Sequence, residues 1–497
     1  MIPRSILGRM RTVLLLLVFL PVAAVTQTLQ LDLQSAAQNN GLIGMSVVTT
    51  CGTTVTTVVH TGKSDVANNI DVSDSTRYRI ASISKLVTAI GIMQLYEQNL
   101  FDLDDDVSTA LGFTFRNPAF PNTPITYRMV LSHTGSFQDG TGYSDFLTAT
   151  YGTAPPPPIS ELATTTGNWY TSDMWRTEQP GTYYTYSNAN FGIIGTLIEA
   201  LSGQRFDAYM RQNVLLPLGI TGSYNVQDLA DLTNLAVLYR NSIPQADNYN
   251  GVMPPLADLS QYVIGTNGLF FAPQGGLRVS ALELARVGMM LENGGELYGI
   301  TILQASTVNL MRNNEWTWNG SNGDNYYGLF RSWGLGTHRI TAQSGGDVVF
   351  DAVPMFGHAG EAYGLISDMY TEENFGFGLV FITNGYTPGN EYQLGTNSAF
   401  YSVEEDVYAA LEQYSLPGCA PGAVADELGA GALVLTADRI TWAGTSVARI
   451  TVHEPSGRAV ATFSMQPGDQ RPAPWRGLLI VRYTSTEGSG ALKWWAW

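Results

Sequence analysis

The sequence predicts an α+β protein: one antiparallel sheet with a helical region inserted between its strands, followed by a small all-β sandwich. Three observations carry this. Residues 28–420 read as strands near both ends with mostly helical segments between them. A stretch with Pro417-Gly418, Pro421-Gly422 and Gly429-Ala430-Gly431 breaks the composition at 416–431 and places a linker at 421–430. Beyond it, residues 431–497 lose helical periodicity and alternate apolar with polar residues. At 497 residues the chain can bury a large core and form more than one domain, and its 44% hydrophobic content is ordinary for a globular protein.

The elements follow in order. Residues 1–24 read as a secretory signal, with Arg4, Arg9 and Arg11 before the apolar run Val13–Leu20 and small residues Ala23 and Ala24 after it. The run is short and ends at Pro21, below spanning length, so no stable membrane span is expected after signal removal. The protein is therefore expected to be secreted or held at the cell surface. A helix is predicted near Leu31–Asn39, then strands Gly44–Thr50 and Thr53–His60. A helix with three-to-four apolar spacing follows Ser82 and runs through Leu95. A helical, loop-rich stretch extends from about Asp102 to Gly294. It contains the stiff Pro155–Pro158 loop and a helical run Phe191–Leu201. Strands are predicted again at Leu335–Gln343, Pro354–Ala359, Tyr363–Asp368 and Phe377–Asn384, and a helix at Val403–Tyr414 closes the domain. In the last region Val447–Val452 and Arg458–Phe463 flank Glu454-Pro455-Ser456-Gly457, a hairpin pattern. Gly477–Tyr483 and Ala491–Trp497 add two more strands.

Charge is uneven. Residues 1–26 and 431–497 each carry +3, and the residues between them carry −23. So acidic a body argues against nucleic acid and anionic membrane as partners. No metal cluster, phosphate loop or dinucleotide fingerprint is present, so no cofactor and no metal are expected. Cys51 and Cys419 are the two cysteines. In an exported chain an isolated pair reads as a disulfide, with two unrelated thiols as the other possibility.

Candidate chemistry begins at Ser82-Ile83-Ser84-Lys85. A serine at the first turn of a helix and a lysine three residues later share one face. An unprotonated lysine there could take the serine's proton, and the helix N-terminus favours negative charge beside Ser82. Lysine is scarce, with Lys63, Lys85 and Lys493 alone in the chain. By itself the spacing also fits an N-cap serine followed by a solvated lysine. Two further triplets change the balance: Tyr186-Ser187-Asn188 after Pro180-Gly181, and His358-Ala359-Gly360 at the end of a predicted strand.

With Ile125–Gly135, Gly275–Ser280 and Tyr327-Gly328-Leu329 in the same order, these residues resemble the class C β-lactamase, DD-peptidase and esterase family over roughly residues 35–415. The resemblance implies a sheet flanked by helices, with the site at the seam between sheet and helical region. It places the N- and C-terminal elements side by side, which brings Cys51 and Cys419 together. It implies a nucleophilic Ser82, with Lys85 or Tyr186 or the pair as base. Asn188 would act as an amide donor to substrate or Lys85. His358 would hold a substrate carboxylate or relay a proton, and the oxyanion hole would come from the N–H groups of Ser82 and Glu361. His133 belongs to a structural turn. Ala359 stands where a hydroxyl residue often binds a substrate carboxylate, and Glu361 replaces a small residue. Both weigh against a β-lactam. The expected activity is hydrolysis of an ester, amide or peptide bond in a small-molecule or peptide acyl substrate. An esterase or D-amino-acid-type peptidase ranks ahead of a β-lactamase. The alternative is a non-catalytic penicillin-binding-type sensor or cell-wall-binding protein. Residues 431–497 resemble a type IX secretion sorting domain, through the Ser-Gly-Arg turn, a late Gly before an apolar strand and a basic residue in the last strand. That resemblance implies secretion machinery as a partner, and an ordinary carbohydrate- or wall-binding β-module is the other reading.

Overall fold

The computed structural model describes residues 22–372, 376–414 and 419, and of the C-terminal part 433–435, 439–442, 446–453, 459–472, 477–485 and 488–496. The first 21 residues of the expected signal, the linker 421–430 and the Ser456-Gly457-Arg458 turn lie outside the described residues.

The body is built on a nine-stranded antiparallel sheet. Its strands in chain order are β1 (Gly44–Cys51), β2 (Thr54–Asp65), β3 (Ile70–Asp71), β4 (Trp316–Thr317), β5 (Ser332–Trp333), β6 (His338–Ile340), β7 (Met355–Ala362), β8 (Leu365–Glu372) and β9 (Phe377–Thr383). Their spatial order is β4-β5-β6-β7-β8-β9-β1-β2-β3, so β9 returns beside β1 with Met45 opposite Thr383. Everything between β3 and β4 is an excursion on one side of this sheet, which is the expected α+β arrangement.

Strand periodicity explains the two-sided core. Val47, Leu379 and Phe381 point to the face covered by α1 (Val22–Asn39) and α5 (Ser402–Tyr414), whose Leu33, Val407 and Leu411 meet them. Val48, Val380 and Ile382 point the other way, into a larger cluster with α2 (Ile83–Glu97), α3 (Asn188–Ser202) and α4 (Ala281–Glu292). Both faces are covered, so β8 and β9 are buried along their whole length. Each fully buried leucine or phenylalanine contributes about 1.5–3 kcal/mol.

Several boundaries differ from the sequence reading. The predicted strand Leu335–Gln343 shrinks to β6, because Gly336 (φ 68°) and Ala342 (φ 54°) turn the chain at either side. Gly336 also presses on α2, where a Cβ would fall 2.4 Å from that of Ala89. Tyr363 is not in a strand. With Gly364 it has positive φ (58° and 93°) and forms the two-residue turn between Ala362 and Leu365. β8 accordingly starts later and runs on to Glu372. α1 begins at Val22 and so reaches three residues into the expected signal, while α3 begins at Asn188.

The C-terminal strands are β10 (Leu433–Leu435), β11 (Arg439–Trp442), β12 (Ala448–His453), β13 (Ala459–Met465), β14 (Gln470–Pro472), β15 (Gly477–Ser485) and β16 (Gly488–Ala496). They form two antiparallel sheets, β10-β11-β14 and β13-β12-β15-β16, with the predicted hairpin seen as the β12–β13 pair. Ile440, Trp442, Ile450 and Val452 are buried. Among the described residues these strands pair only with one another. No helix among the described residues is long and apolar enough to cross a membrane.

Candidate active site

A strand-to-helix turn delivers Ser82. Arg77–Arg79 pairs with Arg278–Ser280, which fixes the chain up to Ile80. Ala81 then takes φ 48°, a conformation that costs a residue with a Cβ about 1–2 kcal/mol, and the helix starts at once. Ser82 is therefore the N-cap of α2, but its side chain makes no cap hydrogen bond. Its Oγ is left for another partner, close to the free N–H groups of the first turn. Ser84, one residue into the helix, is fully buried and its Oγ accepts from the Leu277 N–H.

That partner is Lys85. Nζ lies 2.9 Å from Ser82 Oγ, 2.8 Å from Asn188 Oδ1 and 2.9 Å from the Gln274 carbonyl. The last two groups can only accept. A neutral amine has two N–H bonds and one lone pair, so it spends both N–H bonds on Asn188 and Gln274 and turns the lone pair to the serine hydroxyl. Burial lowers the Lys85 pKa to about 7, against an opposing pull from the Asp139 carboxylate.

Asp139 is absent from the sequence reading. Its carboxylate accepts from the N–H groups of Asn188 and Ala189, from Asn188 Nδ2 and from Ser187 Oγ, at 2.7–3.0 Å. It caps α3 and, by taking Nδ2, sets the Asn188 amide so that Oδ1 faces Lys85. Asp139 sits in a loop and reaches the site through tertiary contacts, so no local spacing marks it. The Gln274 carbonyl went unread for a simpler reason: main-chain acceptors leave no trace in side-chain patterns.

Tyr186 stands beside Ser82, and its hydroxyl faces the serine. Burial raises its pKa far above the ordinary value, with the Ser82 contact only a partial offset. Lys85, the cation a phenolate base would need, lies over the ring face, 4.7 Å from the centroid. Phe330 and Trp333 pack around the same ring, and so does His133 with a centroid distance of 4.6 Å. His133 is buried, accepts from the Ser187 N–H at 3.1 Å and holds the Tyr-Ser-Asn triplet in place.

The His358 triplet corrects two expectations. It lies inside β7, not at a strand end, and His358 does not line the open cavity but packs behind it against Tyr186 and Trp333. The imidazole is 1% exposed, with Nδ1 against the Ala359 carbonyl and Nε2 without a hydrogen-bond partner. Burial and nearby Lys85 hold its pKa well below the usual histidine value, so it is neutral and supplies no charge for a carboxylate. Gly360 runs against the nucleophile turn, where a Cβ would sit 2.6 Å from the Ile80 carbonyl and 3.1 Å from the Ser82 nitrogen. Ala359, Gly360 and Glu361 line a cavity of about 440 Å³ with Ser82, Tyr186 and Asn188. The expected Cys51–Cys419 disulfide is formed, with the two Cα atoms 5.6 Å apart. No cluster of metal-ligating side chains occurs among the described residues.

Residues 29–399 match the family described as Beta-lactamase. The chain is similar to Penicillin-binding protein 4 of Amycolatopsis lactamdurans, 24% identical over 334 residues that cover 66% of this chain and 76% of that protein. It is also similar to Protein flp of Staphylococcus aureus (strain N315), 28% identical over 167 residues, which span 32% of this chain and 30% of that protein. Among solved structures it resembles the D-amino acid amidase from Ochrobactrum anthropi SV3 complexed with L-phenylalanine amide, at 18% identity and TM-score 0.57, covering 78% of this chain and 98% of that one. It also resembles the octameric penicillin-binding protein homologue from Pyrococcus abyssi, at 18% identity and TM-score 0.56, covering 94% of this chain and 90% of that one. At these identities the structural likeness is one of fold.

Proposed function

The chain belongs to the beta-lactamase family, and from that premise we propose that it is a serine hydrolase opening ester, amide or peptide bonds through an acyl-Ser82 intermediate. The observation that carries this is the acceptor-only pair, Asn188 Oδ1 and the Gln274 carbonyl, which leaves the Lys85 lone pair for Ser82 Oγ. In the proposed step Ser82 Oγ bonds to the substrate acyl carbon while its proton passes to Lys85 Nζ. The N–H groups of Ser82 and Glu361 receive the developing oxyanion. As the tetrahedral species collapses, the bond to the leaving group breaks and that group departs with the proton, relayed through the Tyr186 hydroxyl. Water then repeats the sequence on the acyl-enzyme and frees Ser82.

An esterase or D-amino-acid-type peptidase ranks ahead of a β-lactamase, because Ala359 offers no hydroxyl and Glu361 repels a substrate carboxylate. We further propose export. Residues 1–24 carry the signal pattern, and a disulfide suits an oxidising compartment. Residues 431–497 would serve sorting and not catalysis.

Turnover of p-nitrophenyl acyl esters tests the hydrolase reading. Ser82→Ala is expected to lose it entirely, while Ser84→Ala and Ser132→Ala, if folded, retain it. A fully active Ser82→Ala variant would sink the assignment.

A further inference from the structure

The wall of the active-site cavity carries two carboxylic acids and no lysine, arginine or histidine. Glu361 follows the β7 triplet, and its Oε2 accepts from the Tyr401 hydroxyl at 2.9 Å. Glu404 lies in the first turn of α5, is 3% exposed, and its Oε2 accepts from the Tyr401 N–H at 2.6 Å. One residue, Tyr401, thus ties both acids to the same end of the cavity. Behind Glu404 the fully buried Asp368 carboxyl faces Glu404 and Tyr408, yet neither of its oxygens closes an ordinary hydrogen bond.

We propose that this cavity takes acyl substrates bearing a primary ammonium group, seated between Glu361 and Glu404. The proposal rests on the hydrolase reading of Ser82. A buried carboxyl without a counter-charge, as Glu404 is, is costly to ionise, and an entering cation offsets that cost, while the exposed Glu361 adds a second acceptor. Among the described residues neither acid has a cationic partner, and Arg240, whose charge bears on Tyr401, forms no ion pair with either. Burial pushes the Glu404 and Asp368 carboxyls up, and an ammonium ion seated beside them favours their charged forms. An ammonium ion offers three N–H donors to a site that supplies acceptors. The wall also carries the apolar side chains of Leu329, Phe330, Leu394 and Phe400. These suit the aliphatic or aromatic body that would carry the charged end. Glu404 is buried while Glu361 is exposed, so the buried acid separates this feature from the general negative charge of the surface.

The test uses the full chain and p-nitrophenyl esters of matched acyl length ending in ammonium, methyl or carboxylate: 6-aminohexanoyl, heptanoyl and monoadipoyl. Wild-type kcat/KM is expected to favour the ammonium ester over the methyl ester by about tenfold or more, with the carboxylate ester poorest. In Glu361→Gln or Glu404→Gln the ammonium-to-methyl ratio is expected to fall toward one. A wild-type enzyme indifferent to charge, or one preferring the carboxylate, overturns the proposal. So does a preference that survives in both variants. If the variants do not fold, wild-type inhibition decides: hexylammonium should inhibit heptanoyl ester turnover more strongly than hexanol or hexanoate, and equal inhibition by all three refutes the site. Hydrolysis of the methyl ester without charge preference defeats this inference alone. No hydrolysis of any ester, together with no fluorophosphonate label on Ser82, defeats the hydrolase reading itself.

Discussion

Lys85 can take a proton from Ser82 only as the free amine, so its own titration should appear in the rate. With its pKa lowered to about 7 by burial, kcat/KM is expected to fall about tenfold per pH unit below that point. Lys85→Met, which removes the base, should cost about 10²–10⁴ in rate. Asp139 raises the Lys85 pKa, so Asp139→Asn should move the acidic limb to lower pH. The same change breaks charge-assisted hydrogen bonds worth about 1.5–3 kcal/mol each, so a rate loss of about 10–100-fold should accompany it. A pH–rate profile of the two proteins separates these effects; an unchanged limb would show that Asp139 acts only as a cap. Ser82 and Lys85 were legible because three-residue helical spacing is a local signal, and Asn188 because it repeats a family triplet. Asp139 was not, since a loop aspartate acquires its role from contacts made 49 residues away in sequence. Glu404, an acid in the first turn of α5, belongs to no motif in the sequence. Only the packing of α5 on the sheet turns it into the cavity.

At the scale of elements, the β8–α5 contact carries an electrostatic cost. Asp368 on β8 and Glu404 on α5 are both buried, and burial raises both carboxyls. In the unfolded chain an aspartate titrates near ~3.9. Above that pH the folded state holds a proton that the unfolded state has lost, so this pair's contribution to stability declines as pH rises toward the folded value. Asp368→Asn cannot ionise and escapes the decline. Its Tm should match wild type near pH 4 and exceed it increasingly toward pH 8, by up to a few kcal/mol of stability. Thermal melts across that range check this, and a variant less stable than wild type at pH 8 contradicts it. The existence of β1, β2, β7, β8 and β9 was legible in short apolar runs. Their ends were not, because Tyr363 and Ala342 adopt positive φ without being glycine, and composition gives no warning of that.

For the whole molecule, the Cys51–Cys419 bond joins the end of β1 to the segment after α5 across a separation of 368 residues. Such a bridge contributes about 2–5 kcal/mol. Reduction or the Cys51→Ser/Cys419→Ser pair should therefore lower Tm by several degrees, and an unchanged melt would mean that α1 and α5 hold the closure alone. Truncation after Ala420 keeps both cysteines and every residue of the site. It is expected to fold and turn over esters while losing delivery to the surface or medium. A folded but inactive truncation would place part of the site in the C-terminal strands. The strands β12, β13, β15 and β16 were legible from alternation. The partition of the C-terminal strands into two sheets depends on long-range pairing such as Arg439 with Pro472, which composition does not specify.

The central claim is that Ser82 becomes acylated with neutral Lys85 as its base. Acid-quenched single turnovers with a p-nitrophenyl ester, followed by peptide mass mapping, measure this most directly. One added acyl group is expected on the peptide containing Ser82, formed at a rate that drops below pH 7 and vanishes in Ser82→Ala. Acyl mass on another residue, or acylation of Ser82 at a rate indifferent to pH between 5 and 8, would contradict it.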